Sequence, residues 1–420
     1  MGAPPPLTAV SVDCAAMGAE PVDARSEALA AETIRRTNVM ERLLDLRSPQ
    51  PTYQELLRDA EVMTPMEGVA LALSRAAAER VLQDAGGFSA AGLVNLGNVR
   101  PMIPLSVDPP AHVTYRKLLD PLFTPRKMDA LEGEIASRFT RFVDAFADRG
   151  ACHFTDELAV PFPSSIFLGL MGLPWEELDT LLRLKDGILR PAGDPADHPR
   201  IRAATGQEIY RYFDAVLDER AADPRDDVLT LFLRAEVDGD RLTREEILDI
   251  CFLFLIAGLD TVTDSLTCMF AFLATHPGHR RRLVEDPSII PAAVEELLRW
   301  ETPVPLVYRL ATGDTDVRGC PVKAGTVVTV SLGAANVDAG EYPDASEVRF
   351  DREVNRHLAF GGGVHRCLGS HLARRELRVA LRDWHRRIPD YGLKPGIDLH
   401  YPPGLRTVEN LELVWPVPPD

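Results

Sequence analysis

A glycine-rich loop that ends in a cysteine and continues directly into a helix is the feature that most limits how this chain can fold. The loop runs from Phe360 to Arg366, and the consecutive glycines Gly361 to Gly363 allow backbone conformations that other residues rarely adopt. After Cys367, leucines and valines recur at helical spacing among Arg and Glu, which predicts a helix that begins just past the cysteine. The free N–H groups and the positive dipole end of that helix favour a thiolate. A thiolate in such a loop is suited to ligate a large, flat iron cofactor.

Two other interpretations of the cysteine stay open at this point. A lone cysteine is most often a small buried hydrophobic residue. Alternatively, His365, Cys367 and His371 could hold zinc, although the chain offers no paired ligand knuckle elsewhere and the glycines would then have no explanation.

Composition and segment lengths narrow the class of protein. A net charge of −17 argues against nucleic acids and anionic membranes as partners. The longest apolar run, Ile250 to Leu259, is about half of the ~20 residues that cross a membrane, and no Lys or Arg precedes the N-terminal apolar stretch as in a signal peptide. The six cysteines lack paired spacing, which fits a reducing cytoplasm. We expect a cytoplasmic protein with no nucleic-acid or membrane partner.

The order of patterns predicts one large domain that is mainly α-helical with a small β portion. Residues 1–26, rich in Ala and Pro, are expected to be a poorly ordered lead-in, and residues 27–420 to form the domain. Helical patterns continue to about Gly313, alternating β-branched residues predict short strands from Asp314 to Tyr342, and irregular chain precedes the cysteine loop. The C-terminal run predicts a hairpin-like end. The loop Gly187 to Ala204, rich in Pro and Asp, is predicted to be a mobile lid.

The longest predicted helix extends from Thr243 to Thr275 and is buried, because its middle is apolar on nearly all sides. Thr243 and Glu246 form a capping box at its start. Gly258, Asp260 and Thr261 interrupt the apolar run, and a buried Asp requires a partner. The simplest interpretation is a tolerated glycine, with the Thr261 hydroxyl bonded to the preceding turn.

Two pairs of charged residues stand at helical spacing. His112 and Arg116 follow a helix start at Asp108-Pro109-Pro110, and Glu296 and Arg299 are three residues apart. Pairs of this kind are common on solvated helix faces, where they contribute only ~0.3–0.5 kcal/mol. Their spacing alone therefore does not assign them a function.

Taken together, these motifs resemble the cytochrome P450 family in their order and spacing. The cysteine loop matches at Phe360, Gly361, Gly363, His365, Cys367 and Gly369. The segments that begin at Asp108, Ala257 and Glu296 match DPPxHxxxR, AGxDT and ExxR. The resemblance implies the P450 fold, with haem b between the long central helix and the cysteine loop and with Cys367 as the axial ligand of the iron.

The resemblance also implies roles for further residues. The residues implied to bind the cofactor are His112, Arg116, Ala257, Gly258, Arg309, Phe360, His365, Cys367 and Gly369, of which His112, Arg116, Arg309 and His365 would hold the haem propionates. Asp260 and Thr261 would deliver protons to dioxygen. Glu296, Arg299 and Arg352 would form a structural charge cluster. The substrate pocket would be lined by the aliphatic residues Leu253, Ile256, Ala257, Val304, Leu306, Val307 and Leu405.

The implied function is a haem-thiolate monooxygenase that inserts one oxygen atom of O2 into a C–H bond of an apolar terpenoid, steroid or fatty-acid-like molecule. Electrons would come from NAD(P)H through a ferredoxin reductase and a ferredoxin that docks on the basic side around Arg366 and Arg374, and a monomer is expected. Two alternatives remain: a peroxygenase of the same fold, and a non-enzymatic haem or small-molecule binder.

Overall fold

Helices are the main elements of the structure, as the periodicity predicts. The computed structural model describes residues 39–237 and 239–417, so the predicted lead-in at residues 1–26 lies outside the described residues. The helices are α1 (Pro49–Asp59), α2 (Arg75–Gln83), α3 (Ala111–Leu119), α4 (Pro125–Ala130), α5 (Glu132–Asp144), α6 (Pro161–Met171), α7 (Leu178–Leu189), α8 (His198–Ala222), α9 (Val228–Arg234), α10 (Arg244–Gly258), α11 (Thr261–Thr275), α12 (Pro277–Glu285), α13 (Ile290–Glu301), α14 (Leu332–Asn336) and α15 (Ser370–Arg387).

The strands are short and form small sheets. They are β1 (Val62–Met66), β2 (Val69–Ala72), β3 (Phe88–Ser89), β4 (Ala151–His153), β5 (Glu236–Val237), β6 (Asp240–Arg241), β7 (Leu306–Ala311), β8 (Thr315–Val317), β9 (Cys320–Val322), β10 (Val327–Ser331), β11 (Gly392–Leu393) and β12 (Glu412–Val414). The largest sheet has the order β1-β2-β10-β7-β3, with β10 parallel to β2 and antiparallel to β7.

Several predicted boundaries are corrected by the structure. Strands β1, β2 and β7 lie before Gly313, within the part of the chain predicted to be mostly helical. The end of the predicted strand region is helix α14, because the Ser331 side chain accepts a hydrogen bond from Ala334 N and caps it. The predicted hairpin-like end is present as the antiparallel pair of β11 and β12, and β12 also pairs with the distant strand β4. The predicted lid is shorter than expected, because α7 continues to Leu189 and α8 begins at His198.

The apolar core divides into two large groups around the central helices. One joins α11, α13 and α15 through residues such as Phe270, Leu297 and Trp384. The other joins α6, α7, α8 and α10, with Phe213 and Phe252 among its buried members. No single helix of the described chain has the length and apolarity to cross a membrane; the pair Thr155–Met171 and Trp175–Leu189 meets the criteria only together and is bent by 120°.

Candidate active site

Two glycines of the cysteine loop are restricted by their backbone conformation, and one of them also packs closely against α2. Gly361 and Gly363 both have positive φ angles, of 66° and 63°. A Cβ atom on Gly363 would lie 1.9 Å from the Leu82 carbonyl oxygen. The amide of Cys367 donates to the Phe360 carbonyl at 2.9 Å, and α15 begins at Ser370. The loop is therefore held tightly, and its cysteine lies just before a helix, as predicted.

The predicted preference of this cysteine for the thiolate form is not supported by the surrounding protein groups. Burial raises the pKa of the Cys367 thiol, and the Gly369 N–H group and the Arg366 charge lower it only in part. The helix N-terminus is therefore too weak to overcome desolvation. Cys367 nevertheless retains accessible surface, although it lies deep within the protein. A metal ion bound to the sulfur would supply the positive charge that a thiolate requires.

Four cationic or imidazole side chains that the resemblance selects converge beside this loop. The rings of His112 and His365 are 4.3 Å apart, and Arg116 Nη1 donates to the Arg366 carbonyl at 2.8 Å. Burial, together with the charges of Arg309 and His112, lowers the pKa of His365 to about 4. Burial also lowers the pKa values of His112 and Arg309.

Within this cluster, Arg116 is paired with Asp120 at 2.6 Å, whereas His112, Arg309 and His365 have no ion pair with a carboxylate among the described residues. Both ring nitrogens of His112 and Nε2 of His365 are buried without a hydrogen-bond partner. Asp108, the nearest carboxylate to affect Arg309, already accepts from Ser89 and from Ala90 N. Buried donors without acceptors are costly unless a ligand satisfies them. The cluster therefore fits a ligand that carries carboxylates, such as the propionates of haem.

The long central helix is divided in two, which corrects the prediction of one continuous helix. The capping box of Thr243 and Glu246 is present, but α10 ends at Gly258 and α11 begins at Thr261. At the break, the Thr261 hydroxyl donates to the Ala257 carbonyl at 3.1 Å, as the simplest interpretation of this threonine proposed. Ala257 is exposed, although Ile256 before it and Leu259 after it are buried. The break therefore opens one face of an otherwise buried helix to an internal space.

Close packing of two helices requires a glycine at position 258, which the sequence motif did not indicate. A Cβ atom at this position would lie 2.8 Å from Cδ2 of Phe167, a buried ring of α6. The missing side chain thus lets α6 approach the end of α10 closely. The glycine is needed for packing of the two helices, whatever else its position contributes.

Asp260 has strong partners that sequence reasoning missed. Its carboxylate is buried and forms ion pairs with Lys185 and Arg190, each at 2.7 Å. Lys185 is itself only 5% exposed. The sequence indicated only that a buried Asp requires a partner. It did not indicate which residues these are, because they lie on and just after α7, about 70 residues earlier in the chain. Asp260 and Thr261 are thus neighbours with separate hydrogen-bond partners.

The predicted charge cluster of Glu296, Arg299 and Arg352 is assembled. Glu296 accepts from both arginines at 2.7–3.1 Å. Arg299 also donates to the carbonyls of Asn336, Ala345 and Glu347, and Arg352 donates to those of Pro343, Asp344 and Glu347. The cluster therefore fixes the irregular segment that leads to the cysteine loop.

The arginines of α15 are less available than their number suggested. Arg374 forms a bidentate contact with Glu295, and Arg375 pairs with Asp129 and Glu132. Among the described residues, Arg366 has no ion pair with a carboxylate. The basic side predicted around Arg366 and Arg374 is therefore partly neutralised by carboxylates from other helices.

The predicted pocket residues differ in accessibility. Ile256 is buried in the core, whereas the half-buried ones are Leu253, Val304, Leu306, Val307 and Leu405.

For the alternative of a zinc site, the described part of the chain contains no group of three or more His, Cys, Asp or Glu residues that could hold a metal ion.

Comparisons with known proteins agree with this arrangement. A family model described as "Cytochrome P450" matches residues 181–384. The "Probable cytochrome P450 127A1" of Sinorhizobium fredii is 35% identical over 80% of this chain and 81% of its own length. The "Steroid C26-monooxygenase" of Mycobacterium tuberculosis is 33% identical over 71% of this chain and 82% of its own length. A mutant of P450 EryK in complex with erythromycin B superposes with a TM-score of 0.81 and 29% identity, over 89% of this chain and 97% of that structure.

Proposed function

This chain belongs to the cytochrome P450 family, and we propose that it is a monooxygenase that hydroxylates an apolar small molecule with electrons from a ferredoxin. Membership of the family makes it a P450 monooxygenase that uses haem and O2. The type of haem, the substrate class, the electron donor and the roles of single residues are the proposal.

The observation that carries the proposal is the convergence of His112, His365 and Arg309, none of which has an ion pair with a carboxylate among the described residues. His112, Arg116, Arg309 and His365 would hold the propionates of haem b, and Cys367 would ligate its iron. Two carboxylates would satisfy the orphaned imidazole nitrogens and offset the burial of Arg309. When bound, the haem supplies the iron centre at which dioxygen is activated.

The chain's own residues would control protons on the other side of the cofactor. The Thr261 hydroxyl, bonded to the Ala257 carbonyl, would turn to donate towards the oxygen site. Asp260 would pass protons to it from solvent. Its ion pairs with Lys185 and Arg190 hold this carboxylate towards α7, so at least one of them has to loosen before Asp260 reaches Thr261.

The substrate is proposed to be apolar, of the terpenoid, steroid or fatty-acid type. The accessible pocket candidates are all aliphatic: Leu253, Val304, Leu306, Val307 and Leu405. A relative named for a steroid and a structural neighbour that holds erythromycin B are consistent with a large, mostly apolar molecule. Such a surface binds by excluding water rather than by hydrogen bonding.

The first test is the carbon monoxide difference spectrum of the dithionite-reduced protein. The wild type should give the red-shifted band of a thiolate-ligated haem, and Cys367→His should retain haem without that band. His112→Ala should lower haem occupancy, because one propionate partner is lost. A wild type without the band would refute both the ligand assignment and the monooxygenase reaction.

The electron donor requires a separate test on the basic side. Arg366→Glu should weaken ferredoxin-supported turnover and leave peroxide-driven turnover unchanged, because only the first needs docking. Arg386→Glu is the matched control, since this arginine lies on α15 but near its far end and is 72% exposed. Equal loss in both assays for Arg366→Glu would contradict docking at this arginine. Sedimentation of the purified protein tests the expected monomer.

A further inference from the structure

A second buried carboxyl group, Asp264, lies one helical turn beyond Asp260 in α11. Its side chain is 0% exposed, and neither of its oxygens has a hydrogen-bond partner among the described residues. Its nearest cationic atom is Arg190 Nη2, 3.7 Å from Oδ1. Asp260, by contrast, has both Lys185 and Arg190 at 2.7 Å. Two carboxyl groups on one helix face thus differ sharply in their interactions: Asp260 has two close cationic partners, and Asp264 has none.

The charges around Asp264 do not balance if every group is ionised. Arg190 contacts four carboxylates: Asp260 at 2.7 Å, Asp186 and Glu409 at 3.6 Å, and Asp264 at 3.7 Å. Lys185 also contacts Asp186 at 3.0 Å. Two cations therefore face four carboxyl groups, of which Asp186 and Glu409 are partly exposed and Asp260 is directly paired. The excess negative charge is least tolerated on Asp264, because this group is fully buried and has no close ion pair.

A neutral Asp264 resolves this imbalance. Burial raises the pKa of Asp264 well above its usual range and the neighbouring Asp260 charge raises it further, while Arg190, the nearby Thr407 hydroxyl and Lys185 lower it only in part. A protonated carboxyl group is a hydrogen-bond donor and no longer repels Asp260. The neutral form is thus favoured by geometry, by solvation and by charge.

We propose that Asp264 is a protonated acid that reloads Asp260 during turnover, and that it acts on the reaction only through Asp260, as a positioning residue. In this step the O–H bond of Asp264 breaks, an O–H bond forms on the Asp260 carboxylate, and no electrons are transferred. Asp264 then regains a proton from solvent on the side of Glu409, whose side chain is 40% exposed and shares Arg190. The reaction that consumes the protons rests on the proposed function.

Infrared spectroscopy of the haem-loaded protein tests the protonation state without turnover. Asp264 should contribute a C=O band of a neutral carboxylic acid that Asp264→Asn removes. The matched control is Glu376 in α15, which is also buried, has an Oε2 without a partner and has a pKa raised by burial. Glu376→Gln should remove a different band. A spectrum in which Asp264→Asn removes no carboxylic acid band overturns the proposal.

The second test measures how much peroxide is released per NAD(P)H consumed. Asp264→Asn should raise this ratio several-fold and increase the solvent isotope effect, while substrate-induced spectral binding stays as in the wild type. Glu376→Gln should not change the ratio, and Asp264→Glu, which restores an acid, should return it towards the wild-type value. An unchanged ratio in Asp264→Asn, or an equal rise in Glu376→Gln, overturns the proposal.

The two tests separate this proposal from the proposed function. If the wild type fails to turn over with dioxygen, the monooxygenase assignment fails, and the infrared bands still report on Asp264. If Asp264→Asn does not fold, Asp264→Glu in the infrared test keeps the assignment testable, because its band should shift in position. A Glu variant whose acid bands match those of the wild type contradicts a neutral acid at this position.

Discussion

Replacing Glu296 by glutamine should destabilise this protein more than almost any other single exchange of a carboxylate for an amide. Oε1 of Glu296 accepts from Arg299 Nη2, Arg349 N and Arg352 Nε, at 2.7–2.9 Å. Oε2 accepts from Arg299 Nε, Arg352 Nε and Asn355 Nδ2, at 2.8–3.1 Å. An amide keeps the volume but loses the charge and directs an NH2 group at these donors.

The cost follows from the burial of the two arginines that remain. Their side chains are 0% exposed for Arg299 and 6% exposed for Arg352, so water cannot replace the lost carboxylate. Removal of one partner of a buried ion pair costs about 3–5 kcal/mol. With a urea dependence of ~3 kcal/mol per molar, the unfolding midpoint should fall by about 1–2 M. Since the cluster fixes the segment before the cysteine loop, haem retention should fall as well.

The assay is urea unfolding followed by tryptophan fluorescence, with Glu61→Gln as the matched control. Glu61 contacts Arg318 at 2.8 Å, but the two side chains are 49% and 50% exposed. An exposed pair contributes no more than about 1 kcal/mol. The midpoint of Glu61→Gln should therefore stay within about 0.3 M of the wild type. Equal shifts for the two variants would refute the argument that burial sets the cost.

Two further predictions concern packing and pH. Gly258→Ala should lower the free energy of unfolding by about 1–3 kcal/mol, because the new methyl group meets the Phe167 ring at 2.8 Å; Phe167→Leu should restore part of it, and thermal unfolding of the double variant measures the coupling. Although burial raises the pKa of Glu295, hydrogen bonds from His357 and Arg374 lower it from 4.5 to about 2. Because the folded-state pKa is depressed, this stabilisation is complete above pH ~4.5 and is lost as the pH falls towards 2. The difference in melting temperature between the wild type and Glu295→Gln should shrink below pH 4.5, and a constant difference would contradict the assignment.

Interactions between residues close in sequence were the part of the site that could be predicted. Thr243 and Glu246 of the capping box are three residues apart, so formation of the helix itself brings their side chains to each other's backbone N–H groups. The helix after Asp108-Pro109-Pro110 begins where the prolines dictate, at Ala111. Such features depend on local backbone sterics and hydrogen bonding, which a few consecutive residues determine.

Partners distant in sequence could not be predicted, because nothing local selects them. Lys185 precedes Asp260 by 75 residues, and Glu295 precedes Arg374 by 79. Strand β2 was missed for a related reason: it is four residues long, three of them are buried, and its parallel partner β10 comes more than 250 residues later. A buried strand of this length has no alternation by which to recognise it.

The buried charges of this protein separate into two kinds, and the separation indicates which of them serve a reaction. In the Glu296 cluster each oxygen of the carboxylate and each arginine has partners within the chain, so the cluster is complete and its task is to hold the chain. The imidazoles of His112 and His365 and the carboxyl of Asp264 are equally buried but lack partners. Selection for stability alone would remove such groups, because each unsatisfied one costs about 1–3 kcal/mol. Their retention is explained if a ligand or a mobile proton completes them. Lack of a partner is not sufficient by itself, since Glu376 Oε2 shares it; His112, His365 and Asp264 are distinguished by their position beside the cysteine loop or beside Asp260.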